Sequence, residues 1–127
     1  MRAASAYSAV RRAGLAEGAT PYQLTLMLFD AALARIETAR ELDGENQRST
    51  RQSALSRALA IVHELQGSLR DPDRDDLAGS LYVLYSHVSE QLLEASRTGR
   101  QEPLVAASEV LGMLREGWVG IDADRAA

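Results

Sequence analysis

Apolar residues recur every three or four positions along most of this chain, in segments separated by short polar stretches. The clearest segment runs from Thr20 to Leu42, where Thr20, Pro21 and Gln23 form the capping-box pattern that opens a helix. Two apolar stripes lie almost opposite each other on this predicted helix: Leu24, Met27, Leu28, Ala31, Ala39 and Leu42, and Leu26, Phe29, Leu33 and Ile36. Such a helix is either central to a bundle, or packs one face on the core and offers the other to a partner.

Three further long helices follow, separated by short polar loops. The spacing predicts them from about Thr50 to Leu69, from Asp76 to Thr98 and from Pro103 to Val119. Their expected core stripes are Leu55, Ala58, Val62, Leu65 and Leu69; Leu77, Leu81, Leu84, Val88, Leu92 and Ala95; and Leu104, Ala107, Leu111, Leu114 and Trp118.

These helices predict an all-α fold, an antiparallel up-down four-helix bundle. We expect one domain over residues 1 to 127, with the bundle over residues 20 to 119. Residues 1 to 19 are expected to form a short, mobile helical segment, and residues 120 to 127 a frayed tail, because terminal segments are often mobile unless docked.

Composition narrows the classes of function. The chain has no cysteine, its fourteen basic residues are all arginine, and its formal net charge is -4, which argues against a nucleic-acid partner. No run approaches the roughly 20 apolar residues that span a bilayer, and Arg11 and Arg12 interrupt any signal-peptide core. We therefore expect a cytoplasmic protein without membrane insertion.

Metal and cofactor chemistry lack their usual residues. Asp71, Asp73 and Asp75 alternate as at the start of an EF-hand loop, but Asp76 and Tyr82 stand where that loop needs glycine and glutamate. The two histidines, at positions 63 and 87, have no histidine or cysteine partner at metal-binding spacing. We expect no metal, no cofactor and no hydrolase or nucleotide-binding site.

One catalytic alternative stays open. The stretch from His63 to Ser68, HELQGS, resembles the HxLKGS motif of histidine phosphotransfer domains, which are also four-helix bundles. The resemblance would make His63 the phosphoacceptor, although Gln66 replaces the lysine whose charge supports the phosphoryl group. A third alternative is a structural bundle that self-associates through the second face of the central helix.

A different family matches nearly the whole chain. Tyr7, a spacer and then residues 19 to 33, ATPYQLTLMLFDAAL, resemble the opening of the flagellar secretion chaperone FliS, whose usual form is a tyrosine, a spacer and TASPxxLxxMLYDGAL. Residues 60 to 65 resemble AxxIIxEL, residues 81 to 85 NLxxLYxY, and residues 114 to 118 LREAW, in the same order. The chain departs from the pattern at Phe29, Ala31 and Ser80, where the family has tyrosine, glycine and asparagine.

The resemblance implies a binding protein and not an enzyme. Proteins of this family hold the C-terminal segment of flagellin in the cytoplasm, prevent its premature polymerisation and support its delivery to the export apparatus, where the export gate or a co-chaperone is a further partner. It also implies that an N-terminal segment with a tyrosine occupies part of the flagellin groove when flagellin is absent.

Five apolar residues fall outside the expected core stripes and are the candidates for that groove: Ile61, Tyr82, Leu93, Val110 and Met113. Such residues on the outside of a bundle can receive an amphipathic helix. Tyr7 and Val10 are the expected cover of this groove in the free protein.

Overall fold

The computed structural model describes the backbone of residues 2 to 126 and the side chains of residues 8 to 120. Within this range the chain is helical and forms no strand, which confirms the predicted all-α class. A short 3₁₀ turn, Glu45–Gln47, precedes the third of the five helices. The helices are α1 (Arg2–Ala16), α2 (Pro21–Glu41), α3 (Arg48–Gly67), α4 (Asp76–Thr98) and α5 (Glu102–Ala126).

Helices α2 to α5 pack in a closed cycle, in which α2 and α4 each contact both α3 and α5. The contacts between α2 and α5 run in opposite order along the two helices. Tyr22, at the start of α2, stacks on Trp118 of α5, whereas Arg40, near the end of α2, accepts through its carbonyl a hydrogen bond from Gln101, just before α5. These two helices therefore run in opposite directions.

Hydrogen bonds of polar side chains show that α3 and α4 also run in opposite directions. Near the start of α3, Gln52 Nε2 donates to the carbonyl of Ser96, near the end of α4, at 2.8 Å. Near the end of α3, Gln66 Nε2 donates to Ser86 Oγ at 2.7 Å and to the carbonyl of Tyr82 at 3.0 Å. The side of α4 that carries these residues therefore faces α3.

The start of α2 has the predicted chemistry. Thr20 Oγ1 accepts from the backbone N–H of Gln23 at 3.1 Å, and Gln23 Oε1 accepts from the N–H of Thr20 at 3.0 Å. Pro21 occupies the first helical position, where an N–H would have no intrahelical partner. The capping box confirms the predicted start of this helix.

Helix α2 buries residues on both of its apolar sides, because it packs against α1, α3 and α5. A Cβ atom on Gly14 of α1 would clash with Leu24 Cδ2 and lie 3.0 Å from Met27 Sδ, so α1 lies directly on this side of α2. The main core contains Phe29, Ala32, Ile36, Ala39, Ala54, Leu55, Ala58, Ile61, Val62, Leu65, Tyr85, Val88, Leu92, Ala95, Leu104, Ala107 and Leu111.

Several boundaries differ from the prediction. Helix α2 ends at Glu41, one residue before the predicted Leu42, and Gly44 has an extended conformation that leads into the 3₁₀ turn. Helix α5 continues to Ala126, beyond the predicted end at Val119 and through most of the expected frayed tail. Helix α4 has its predicted bounds, with Gly99 in the left-handed conformation at its end.

None of the described helices is both long enough and apolar enough to cross a membrane.

Candidate functional site

An apolar cavity of about 320 Å³ lies at one end of the helices, where α2 and α4 begin and α3 and α5 end. All four helices of the cycle contribute to its wall. It is lined by Thr25, Phe29, Leu65, Ser68, Leu69, Leu77, Leu81, Tyr85, Met113, Leu114, Gly117 and Trp118. The lining includes two aliphatic hydroxyls, and both donate to backbone carbonyls of their own helices. Thr25 donates to Pro21 and Ser68 donates to Leu65, so these hydroxyls add little polarity to the cavity wall.

Tyr85 contributes a further polar group to this wall. Its ring is 5% exposed and lies against Phe29, with ring centroids 6.5 Å apart. No hydrogen bond joins its hydroxyl to another residue in the described part of the chain. Burial raises the pKa of the phenol to about 12, because the ionised form would lose its hydration. At neutral pH Tyr85 therefore remains a neutral donor without a protein acceptor.

Tyr22 and Trp118 hold α2 and α5 together beside the cavity. Their rings stack with centroids 5.5 Å apart and planes 10° apart. The tyrosine hydroxyl donates to the carbonyl of Trp118, and the indole Nε1 donates to the carbonyl of Tyr22, each at 3.3 Å. Trp118 is the single tryptophan of the chain, so tryptophan fluorescence is a direct probe of this end of the molecule.

The cavity opens to solvent between α4 and α5. Leu77, on the α4 side, is 65% exposed, and Met113, on the α5 side, is 70% exposed. Leu84 lies two turns beyond Leu77 on the same edge of α4 and is also exposed. A large apolar side chain left in water forgoes roughly 1.5–3 kcal/mol of burial free energy, so this mouth is a natural place for a partner.

This opening was not expected, because Leu77 and Leu84 were predicted to lie in the core stripe of α4. The rest of that stripe, from Val88 to Ala95, is buried as predicted. The run from Leu81 to Tyr85, LYVLY, places apolar side chains around the whole circumference of α4. This run is the signal in the sequence that α4 has more apolar surface than its neighbouring helices can cover.

Ile61 does not lie on the surface, contrary to its predicted place in a groove. It is fully buried, with 0% exposure, and belongs to the core. The prediction treated α3 as burying one narrow stripe. In the structure α3 packs against α1 as well as α2 and α4, and a third neighbour widens the buried face.

The other four predicted groove residues do not form one surface. Tyr82 and Leu93 are about half exposed on α4, but they line two different clefts, and neither lines the apolar cavity. Met113 lines the apolar cavity, and Val110 is partly buried against the core. Of the predicted set, Met113 alone belongs to the cavity described above.

The predicted cover lies on another side of the molecule. Helix α1 contacts α2 and α3, and among the described residues it contacts neither α4 nor α5. Val10 is half-buried within α1, and the side chain of Tyr7 lies outside the described residues.

The environment of His63 bears on the phosphotransfer alternative. His63 is exposed on α3. Gln66, which stands where phosphotransfer domains have lysine, donates both of its described hydrogen bonds to α4. Its amide therefore links α3 to α4.

Asp75, one of the aspartates after Pro72, caps the start of α4. Asp75 Oδ1 accepts from the N–H groups of Leu77 and Ala78 at 2.9 and 3.1 Å, as an N-cap. Within the described range, no three His, Cys, Asp or Glu side chains are grouped as metal ligands would be.

Comparisons with known proteins show the family of this chain. The family model of flagellar protein FliS matches residues 3–125. The chain is 27% identical over 121 residues to the flagellar secretion chaperone FliSB of Pseudomonas aeruginosa, covering 95% of this chain and 96% of that protein. It is 29% identical over 111 residues to the flagellar secretion chaperone FliS of Escherichia coli, covering 87% and 79%. The similarity over nearly the whole chain shows that this protein belongs to the FliS family.

Proposed function

We propose that this protein is a cytoplasmic export chaperone that binds the C-terminal segment of flagellin, prevents its premature polymerisation and supports its delivery to the flagellar export apparatus. The export gate or a co-chaperone is a further partner. Helices α2 to α5 act in this proposal as an antiparallel up-down four-helix bundle. The observation that carries the proposal is the open apolar cavity between α4 and α5 in a chain of the FliS family.

The exposed apolar residues suit a partner that is itself amphipathic. Leu77 and Met113 line one mouth and Leu84 is exposed on the same edge of α4, while Tyr82 and Leu93 lie on the opposite side of α4 beside two other clefts. A segment that contacts both sides would have to pass around α4, partly extended and partly helical. Each large side chain that it covers would contribute roughly 1.5–3 kcal/mol before the entropy of ordering the segment is subtracted.

Isothermal titration with the C-terminal segment of a flagellin from the same genome tests the proposal. We expect saturable binding that Leu77→Arg weakens at least tenfold, about 1.4 kcal/mol, because a charge would replace apolar surface at the mouth. Leu93→Arg is the matched variant on the other side of α4, and its effect measures the second surface.

Absence of binding by the folded wild-type chain would contradict the chaperone proposal. The two alternatives would then separate by direct measurements. Phosphotransfer requires an acid-labile phosphoryl group that His63→Ala removes. A self-associating bundle requires a molecular mass that rises with protein concentration in the absence of any partner.

The second proposal concerns α1, which covers Leu24 and Met27 of α2 near Gly14. If the flagellin segment also binds this surface of α2, deleting residues 1 to 15 should raise the affinity of the chain for the segment about three- to tenfold. The reason is that the segment then does not have to displace α1. Gly14→Ala should act in the same direction but less strongly, since its Cβ would displace only the end of the Leu24 side chain.

Titration calorimetry of the deletion variant and dye binding to exposed apolar surface measure the two effects. Arg12→Ala, an exposed position on α1, is the control, because it shortens a side chain that faces solvent and keeps a residue that favours the helix. Unchanged affinity and unchanged dye binding in the deletion variant would show that α1 is not a cover.

A further inference from the structure

Methionine supplies all the sulfur of this chain, because the sequence has three methionines and no cysteine. Met1 lies outside the described residues. Met27, on α2, is half-buried, and its Sδ would lie 3.0 Å from a Cβ atom on Gly14, so α1 packs directly against it. Met113, on α5, is 70% exposed. The two described thioethers therefore differ sharply in their access to solvent.

The surface of α5 beside Met113 is bare. Gly112 directly precedes Met113, and Gly117 lies one turn after it. An added Cβ at either glycine would meet nothing within 4 Å, so open space adjoins both positions. Glu109, one turn before Met113, is exposed. A molecule as small as a peroxide therefore has a direct path from solvent to the sulfur of Met113.

The position of Met113 gives its oxidation a physical consequence. Met113 and Leu77 are the two highly exposed apolar side chains that line the mouth of the cavity. Oxidation of a thioether to the sulfoxide converts a flexible apolar side chain into a polar one. Met113 is not part of the buried core, so this change leaves the packing between the helices intact. The polarity of the mouth would change while the fold is retained.

We propose that Met113 is a reversible oxidation site, at which a peroxide forms the sulfoxide and makes the mouth of the cavity polar. The sulfur donates a lone pair to one oxygen of hydrogen peroxide, the O–O bond breaks, and the second oxygen leaves as water with both protons. The sulfur is thereby oxidised by two electrons and the peroxide is reduced. Methionine sulfoxide reductases reverse the step, because two thiols supply two electrons, become a disulfide and release the oxygen as water. The site belongs to the free chain, whatever partner covers the mouth.

Peptide mapping by mass spectrometry after treatment of the full folded chain with hydrogen peroxide tests the selectivity. Cleavage after arginine places Met27 in residues 13–35 and Met113 in residues 101–115, so each sulfur is followed separately. We expect Met113 to gain one oxygen about tenfold faster than Met27, because α1 covers Met27. In denaturant the two rates should agree within about twofold, since the difference arises from the fold.

Hydrophobic-interaction chromatography of the full chain measures the polarity of the mouth. Met113→Leu is the matched variant, because leucine keeps an apolar side chain of similar size that peroxide does not oxidise. Peroxide should shorten the retention of the wild-type chain about threefold more than that of Met113→Leu, with the circular dichroism of both chains unchanged. Methionine sulfoxide reductases A and B with dithiothreitol should restore the wild-type retention, since each enzyme reduces one sulfoxide epimer.

Three results would overturn this assignment. Equal oxidation rates of Met27 and Met113 in the folded chain would show that the fold does not select Met113. Equal retention shifts in the wild-type chain and Met113→Leu would show that oxidation at this position does not change the exposed apolar surface. Failure of the two reductases to remove the oxygen from Met113 would show that the site is not reversible. Binding of flagellin, or its absence, decides the proposed function separately.

Discussion

Replacing Ile61 with alanine should lower the free energy of unfolding by about 2–5 kcal/mol, the range for removing a large aliphatic side chain from a packed core. Ile61 has 0% exposure and belongs to the main core, where α3 packs against three other helices. The lost methyl and methylene groups would leave a space that the surrounding helices can close only in part. Urea unfolding of the wild-type chain and the variant, followed by circular dichroism, measures the difference in unfolding free energy.

Leu93→Ala is the matched control for this experiment. Leu93 also lies off the predicted heptad stripe of its helix, but it is half exposed, so its loss should change the unfolding free energy by less than about 1 kcal/mol. Equal effects of the two substitutions would contradict the assignment of Ile61 to the core and would favour the predicted groove. A loss below about 1 kcal/mol for Ile61→Ala would have the same meaning.

Local signals in the sequence predicted most of the secondary structure. Thr20, Pro21 and Gln23 mark the start of α2 because capping depends on a few neighbouring atoms. Gly99 marks the end of α4 for a similar reason, since its φ of 76° is accessible to glycine at little cost. Such interactions are encoded within four residues, so a single chain reveals them.

The sides that each helix buries depend on more distant parts of the chain. The heptad spacing of α3 assigns Val62 to the core and leaves Ile61 outside, because it assumes one seam for each helix. The docking of α1 adds a further neighbour, which no pattern within α3 indicates. Conversely, the spacing of α4 places Leu77 and Leu84 in the core, although at that end the neighbouring helices leave a cavity.

The candidate site therefore arises from an excess of apolar surface at one end of the fold. Apolar residues at a spacing of 3.6 form a stripe on a helix whether that stripe packs within the chain or against another protein. The spacing therefore does not distinguish the two cases. The pattern indicates Met113 as a surface residue because it lies off the stripe, whereas it assigns Leu77 to the core because Leu77 lies on the stripe. The structure shows an open apolar cavity at this end, which the spacing of apolar residues alone does not indicate.

The opposite end of the helices has a polar structural contact centred on Arg51. This arginine is 5% exposed, and its guanidinium has no carboxylate partner within the described residues. Its Nη1 donates to the carbonyl of Ala95 at 3.1 Å, and its Nη2 donates to the carbonyl of Arg100 at 3.3 Å. The charge is thus placed at the negative end of α4, where the helix dipole and the terminal carbonyls stabilise a cation.

Arg51→Ala should lower the free energy of unfolding by about 3 kcal/mol, because it removes two charge-assisted hydrogen bonds and leaves a cavity beneath the connection between α4 and α5. Arg48→Ala, one turn earlier on α3, is the control and should have little effect, since Arg48 is exposed and makes no described ion pair. Thermal and urea unfolding measure both variants.

Arg51→Lys separates the charge from the geometry of the contact. Lysine keeps the positive charge near the end of α4, but its single ammonium group cannot reproduce the planar fork that spans the two carbonyls. We expect a loss of unfolding free energy between those of the wild-type chain and Arg51→Ala, with little dependence on salt because the site is shielded from solvent. If lysine restores full stability, the dipole of α4 alone accounts for the contact. If lysine is no better than alanine, the paired hydrogen bonds account for it, and the connection between α4 and α5 is held by their geometry.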